Sequence, residues 1–254
     1  MNDPPCKSGR LLAGPHNSRL GPAIHAFNLP AEPDVCVGST PACEASCYAK
    51  GFLFELQKGR HRYNLAQSLL PSFVGAMIAE VRRGMIQVVR VHTSGDFYDP
   101  AYARKWAAVA RACAGTTFFT YTRSWRRPDI LAELVGLAGL PNVSLWFSTD
   151  RDSGPAPSVP RVRRAYMLGP GEAEDGVPAD SDLVFRVPLP RRPGHPNAYA
   201  GAAKRANGVL VCPKEQGVAR RVEMTCSSCR ICFTDRAHPL RPRRWAPPTA
   251  TPAP

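Results

Sequence analysis

Three extended apolar runs alternate with helical patterns within about 65 residues of this chain, and that alternation limits its fold more than any other feature. The first run covers residues 86–92, ends in Thr93-Ser94-Gly95-Asp96 and precedes a helical pattern over 100–113. The second covers 116–122 and leads to a helix over 128–140, with Pro128 at its start, where a missing N–H costs nothing. The third covers 143–149 and ends at Asp150. Strands joined through crossover helices are the unit of a parallel sheet. The expected class is therefore α/β, a partial or complete (β/α) barrel-like parallel sheet. Further short strands are expected at 164–168, 183–187 and 208–211, and helices at 52–70 and 73–81, parted at Pro71. Residues 153–182 otherwise read as loop.

Nine cysteines come next in weight. Cys36, Cys43 and Cys47 form a C-x6-C-x3-C trio in a loop marked by Gly38 and Pro41. Cys212, Cys226, Cys229 and Cys232 form C-x13-C-x2-C-x2-C, predicting a cysteine-rich C-terminal metal-binding module. Thiolates select zinc, copper(I) or iron–sulfur clusters. Three protein ligands leave a coordination position open for chemistry, whereas four can close a site. The short spacing in the C-terminal group resembles the opening of a ferredoxin cluster run, while four cysteines also satisfy zinc. One or two 4Fe-4S clusters are expected, with zinc as the alternative. Cys6 and Cys113 read as bystanders.

There is no apolar run of 18 or more residues and no apolar signal segment near the start, so a soluble cytoplasmic protein without membrane contact is expected. Clustered cysteines in that compartment read as metal ligands rather than disulfides. With 254 residues and 44% hydrophobic content, one main domain is the expectation. It is assigned to residues 16–205, with the N-terminal cysteine loop. Residues 206–238 form the metal-binding module, and 1–15 and the Pro-rich 239–254 are disordered tails.

The formal charge is +13. From Arg186 onward thirteen Lys or Arg stand against Glu215, Glu223 and Asp235, a surplus of ten of that thirteen. A basic surface concentrates polyanions, so a nucleic acid or nucleotide partner is expected, against the plain alternative of a solvated arginine-rich surface. No G-x-G-x-x-G or G-x4-G-K-[ST] phosphate loop occurs.

Ligands of parallel α/β sheets bind beyond the carboxyl ends of the strands. Those ends carry His92, Ser94, Gly95 and Asp96, then Tyr121, Thr122, Arg123 and Ser124, then Ser148, Thr149 and Asp150. Period-two alternation puts Arg90, His92, Ser94 and Asp96 on one face, so His92 and Asp96 are expected to converge as acid/base or amine-binding groups. The alternative is that these residues cap the following helices. Trp106, Trp125 and Trp146 read as core, although Trp125 with Arg123, Arg126 and Arg127 could offer a stacking patch.

Taken together, several segments resemble the phage gene product 88 family over about residues 17–235. They are Asn17-Ser18-Arg19-Leu20-Gly21, the segment ending Cys47-Tyr48-Ala49, Arg90-Val91-His92-Thr93-Ser94-Gly95-Asp96-Phe97, Tyr121-Thr122-Arg123-Ser124-Trp125, Ser148-Thr149-Asp150 and the C-terminal cysteines. That resemblance implies a phage or mobile-element setting and little chemistry. More distantly, the order of features is similar to radical S-adenosylmethionine enzymes: three cysteines, a helix, a Gly-acidic motif at Ser94-Gly95-Asp96, and a later cysteine group like an auxiliary cluster. The trio is spaced more widely than that superfamily's C-x3-C-x2-C, and Asp96 stands where Glu is common. The resemblance implies a catalytic cluster on Cys36, Cys43 and Cys47 and S-adenosylmethionine held through Gly95 and Asp96.

Three readings follow. In the first, the chain is a radical S-adenosylmethionine-like enzyme acting on a nucleic acid or nucleotide, with His92, Asp96 and Asp150 as catalytic candidates and Ser94, Gly95, Asp96, Thr122, Arg123 and Ser148 as cofactor-binding candidates. In the second, it is a zinc-bearing base-exchange or hydrolytic enzyme in which Asp96 or Asp150 attacks or activates water. In the third, it is a non-catalytic nucleic acid-binding protein stabilised by metal.

Overall fold

The structure is a computed structural model and describes residues 9–14, 17, 19–187, 205–213 and 225–234. Six parallel strands form one sheet in the order β1 (Ile24–Phe27), β2 (Val88–Val91), β3 (Thr117–Thr122), β4 (Val143–Thr149), β5 (Arg163–Leu168) and β6 (Leu183–Arg186). Spatial order equals sequence order. Right-handed crossovers then always turn the same way and stack their helices on one face. A doubly wound sheet reverses at a switch point and covers both faces. This sheet is instead a six-strand half-barrel, convex under its helices and concave on the other side.

The helices are α1 (Pro41–Ala45), α2 (Phe52–Glu55), α3 (Lys58–Leu69), α4 (Phe73–Arg83), α5 (Pro100–Ala112), α6 (Pro128–Ala138) and the single turn α7 (Cys226–Cys229). Local chemistry explains the boundaries. Asp99 accepts from the Tyr102 N–H at 2.6 Å and Pro100 opens α5, a cap with a pre-set first residue. Leu70 is extended (φ −71°, ψ 148°), as a residue before proline must be, so α3 stops ahead of Pro71. The helix expected over 52–70 breaks in two at Leu56 and Gln57. None of the described helices is long and apolar enough to cross a membrane.

Two expectations are corrected. Residues 9–14 are not a tail: Leu11 and Leu12 are buried, their N–H groups donate to Glu80 at 2.8 and 3.0 Å, and Ala13 bridges Ala26. These residues dock because the Glu80 carboxylate on α4 receives their backbone donors. Strand β1 was not foreseen, because four residues preceded by a polar turn carry too little alternation to read. The segment expected over 208–211 is half of a small antiparallel hairpin, β7 (Arg205–Ala206) with β8 (Val209–Leu210), which packs beside β6.

Alternation within each strand divides the side chains. Phe27, Val89, Val91, Phe118, Leu145 and Phe147 join the core beneath the helices with Trp106, Phe73 and Leu134. Ile24, Val88, Arg90, Phe119, Tyr121 and Trp146 take the concave face.

Candidate functional site

The cysteine trio lies on a loop fastened to the carboxyl-end rim. Thr40 caps α1, accepting from the Cys43 N–H at 3.0 Å, and its hydroxyl donates to Asp150 at 2.7 Å, at the end of β4. The Ala42 N–H donates to Asp152 at 2.8 Å. Arg126 donates to the carbonyls of Gly38 (3.2 Å) and Ser39 (2.7 Å). Gly38 presses on β3's end so closely that a Cβ there would stand 2.1 Å from the Arg123 carbonyl oxygen. The end of β3 and the end of β4 thus hold the loop at four points.

Burial pushes the Cys36 thiol well up; Asp96, Cys43 and Cys47 add to the rise and Arg123 opposes it. Cys43 is raised by burial first, with Arg123 again opposing. Cys36 and Cys43 therefore feel each other's sulfur and face the same Arg123 charge. None of the described cysteines is in a disulfide. Among the described residues, no three His, Cys, Asp or Glu side chains converge where a single metal ion could sit. An iron–sulfur cluster asks for less convergence, because its thiolates bind different irons.

The rim residues expected to bind cofactor are mostly engaged with one another. Asp96 accepts from the Phe97 and Arg123 N–H groups, both at 2.8 Å, and from the Thr122 hydroxyl. Its pKa is raised by burial, against those hydrogen bonds. Asp150, its side chain fully shielded from solvent, takes Arg123 Nε at 3.0 Å and Nη2 at 2.9 Å as well as Thr40, and receives the Asp152 N–H at 3.0 Å. Ser94 donates to the Leu29 carbonyl at 2.8 Å. Gly95 has φ +78°, and a Cβ there would meet Leu29 at 2.5 Å, so the turn requires glycine. Thr122 also receives the Ser124 N–H at 2.9 Å. Ser148 keeps a hydroxyl without a hydrogen bond to the described residues, while its carbonyl accepts from Trp125 Nε1 at 3.0 Å. Trp125 is buried, as the core reading expected, so its ring is not open as a stacking patch.

His92 does not converge with Asp96. Strand β2 ends at Val91, so strict alternation stops one residue before the histidine. Its ring, 3% exposed, turns into the helix-side core among Phe27, Phe97, Tyr102 and Trp106, with Nε2 2.7 Å from the Tyr102 hydroxyl. Burial, with help from Arg90, lowers its pKa to about 3. Such a neutral, enclosed imidazole is placed for packing.

The described part of the C-terminal cysteine group is docked into the concave face rather than appended to the domain. The N–H groups of Cys226 and Ser227 donate to the carbonyls of Arg19 and Leu20 at 3.0 and 2.8 Å. Arg163 donates to the carbonyls of Ile231 and Cys232, both at 2.9 Å, and Trp146 Nε1 to Cys232 at 2.8 Å. Arg163 also lies 3.8 Å over the Trp146 ring. Phe233 packs on Phe119 at 5.2 Å. Cys232 is pushed up to about 11 by burial. The Tyr121 hydroxyl, without a partner at ordinary hydrogen-bond geometry, lies against that sulfur and within electrostatic reach of Cys212. Cys229 is raised by burial and by Cys226. Cys6, and most of the basic stretch after Arg186, fall outside the described residues; Cys113 ends α5 as a buried core residue.

Sequence reasoning passed over Thr40, Asp152 and Arg163, and named Gly38 and Arg126 without their contact with each other. A glycine and a threonine ahead of Pro41 hinted at a capped loop, but nothing marked their partners on β3 and β4.

The model of the family described as Gene product 88 matches residues 6–235. The Gene 88 protein of Mycobacterium phage D29 is 27% identical over 161 residues, 58% of this chain and 62% of the phage protein. The Gene 88 protein of Mycobacterium phage L5 is 28% identical over 161 residues, with the same shares. The match therefore spans under two thirds of these relatives' length. No solved structure matches.

Proposed function

We propose that this chain, which belongs to the gene product 88 family, is an iron–sulfur enzyme of the radical S-adenosylmethionine type with a nucleotide or nucleic acid substrate. The observation that carries the reading is a three-thiol loop fastened by Thr40, Ala42, Gly38 and Ser39 to the carboxyl-end rim of a parallel half-barrel, with Asp96 beside Cys36. Cys36, Cys43 and Cys47 would hold a 4Fe-4S cluster. Such a cluster would, with S-adenosylmethionine, supply one-electron chemistry.

The chain's own residues prepare the place. Arg123 offsets thiolate charge while locked to Asp150, so the cation cannot swing away. The Asp96 carboxylate is held in one orientation by three donors, which suits it to meet an ammonium group without reorganising. Cys212, Cys226, Cys229 and Cys232 would hold a second centre, iron–sulfur or zinc, against the concave face. Tyr121 lies on the thiol of Cys232, and Arg163 and Trp146 hold its backbone. A charge of +13 suits a polyanionic substrate.

Anaerobic purification with iron, sulfide and zinc quantification tests this directly. A brown protein whose reductive cleavage of S-adenosylmethionine is lost in Cys43→Ala and kept in Cys226→Ala is expected. A colourless protein with stoichiometric zinc and no iron would sink the reading and favour the zinc alternatives. Filter binding of an oligonucleotide should weaken steeply with salt; salt-insensitive or absent binding would remove the nucleic acid.

A further inference from the structure

Four of the half-barrel's arginines have contrasting surroundings. Arg123 is locked to Asp150, Arg186 to Glu174, and Arg163 to two carbonyls and the Ser144 hydroxyl. Arg90 differs. On the concave face it lies over the rings of Phe119 and Tyr121, 5.8 and 5.5 Å from their centroids. Its Nε donates to the His92 carbonyl at 3.2 Å, which fixes the plane of the guanidinium. Among the described residues it has no carboxylate partner, and its two terminal nitrogens make no hydrogen bond. They are not among the fully enclosed unsatisfied atoms, so each keeps some exposure.

The position of that fork is informative. Cys226 and Cys232 of the C-terminal group pack with Tyr121 on the same concave-face cluster as Phe119, and Tyr48, next to Cys47 of the trio, donates its hydroxyl to the Thr93 carbonyl just past β2. Arg90, over the Phe119 and Tyr121 rings, thus lies on the face that both groups border. Desolvating a cation is costly unless an anion or oxygen acceptor compensates it. A planar fork with two unused N–H edges matches a carboxylate or phosphate in bidentate fashion.

We propose that Arg90 is the anion-recognition residue of the concave face: the ligand that enters the half-barrel carries a carboxylate or phosphate, which the guanidinium grips between the two cysteine groups. That this ligand is the enzyme's substrate rests on the function proposed above; the anion site itself does not.

The test uses the full chain and two probes, inorganic phosphate followed by 31P linewidth and labelled acetate followed by 13C linewidth. Wild-type protein should show saturable broadening with at least one, and the preferred probe identifies the source chemistry. Arg90→Gln should abolish the saturable component, and Arg90→Lys should weaken it by about tenfold, because a point charge lacks the fork. The exposed Arg83→Gln should leave it unchanged. Protection of Arg90 itself from phenylglyoxal by the same probe, read by peptide mass mapping of the wild-type chain, repeats the test without a substitution. Equal broadening in Arg90→Gln and Arg83→Gln, or no saturable component in wild type, overturns the proposal. So does an Arg90→Gln protein that still binds the anion but loses iron from the C-terminal cysteines, since the guanidinium is then a counter-charge. Iron-free protein with Arg90-dependent anion binding would retire the radical chemistry and keep this site; iron-bearing protein without it would do the reverse.

Discussion

Gly38 carries no chemistry, yet the packing makes it the most demanding position in the cysteine loop. A Cβ added there would stand 2.1 Å from the Arg123 carbonyl oxygen, 2.4 Å from its carbon and 2.8 Å from Ser124 N. All three are backbone atoms at the end of β3, and the Arg123 N–H is tied to Asp96, so the strand cannot yield. In Gly38→Ala the loop must move instead, stretching the Arg126 bonds to Gly38 and Ser39. Overpacking of this kind costs about 1–3 kcal/mol. With a urea slope of about 2 kcal/mol/M, a loss of about 2 kcal/mol lowers the unfolding midpoint by about 1 M. The comparison is Gly75→Ala in α4, where nothing lies within 4 Å and the residue is exposed. That change should raise stability by about 0.5–1 kcal/mol through helix propensity alone. Urea unfolding followed by tryptophan fluorescence reads both, and iron retention should fall in Gly38→Ala and not in Gly75→Ala. Equal midpoints for Gly38→Ala and wild type, with Gly75→Ala stabilised, would show that the loop does not pack on β3.

Other consequences can be checked in parallel. Asp150→Asn leaves the Arg123 charge without its partner and should cost about 3–5 kcal/mol, whereas Thr40→Val, which removes the α1 cap and the hydrogen bond to Asp150, should cost about 1–2 kcal/mol. Similar losses for the two in urea would refute the buried-pair argument. Arg163→Met uncovers the carbonyls of Ile231 and Cys232 and should release residues 225–234 to limited proteolysis well before the rest of the chain; simultaneous cleavage would contradict that docking. His92 has a folded pKa of about 3 against 6.5 for the free side chain, so the unfolded chain binds the proton first as pH falls. Its contribution is present above pH 6.5 and is lost progressively between about 6.5 and 3, at up to about 1.4 kcal/mol per pH unit. His61, lowered to about 4 by burial, acts in the same direction. A His92→Leu chain should show a shallower acid limb in stability against pH; an unchanged slope would count against a buried neutral imidazole.

Much of the sheet could be read locally. The runs at 86–92, 116–122 and 143–149 became β2, β3 and β4 with shifts of at most two residues at either end, because β-branched and aromatic residues state their preference within a few positions. Pro71, Pro100 and Pro128 marked helix boundaries for the same reason, each acting on its own backbone. The rim candidates were legible as residues at strand ends. What else they do there was not: Asp96, Asp150 and Ser94 each also bond a neighbouring segment, and the Gly95 turn packs against Leu29.

By itself, then, the sequence determined the α/β class, the order of the central elements and the two cysteine groups with their spacing. Tertiary structure decided that Leu11 and Leu12 are core, that His92 turns away from Asp96, that Cys226 and Cys232 face the inside of the half-barrel, and that Arg90 has no carboxylate partner among the described residues. The difference is one of range. A cap or a proline acts through atoms a few residues apart, but the bond from Ala23 N–H to Ser227 joins positions 204 apart, and a pairing that distant is created only when the sheet curves and brings both segments to one surface.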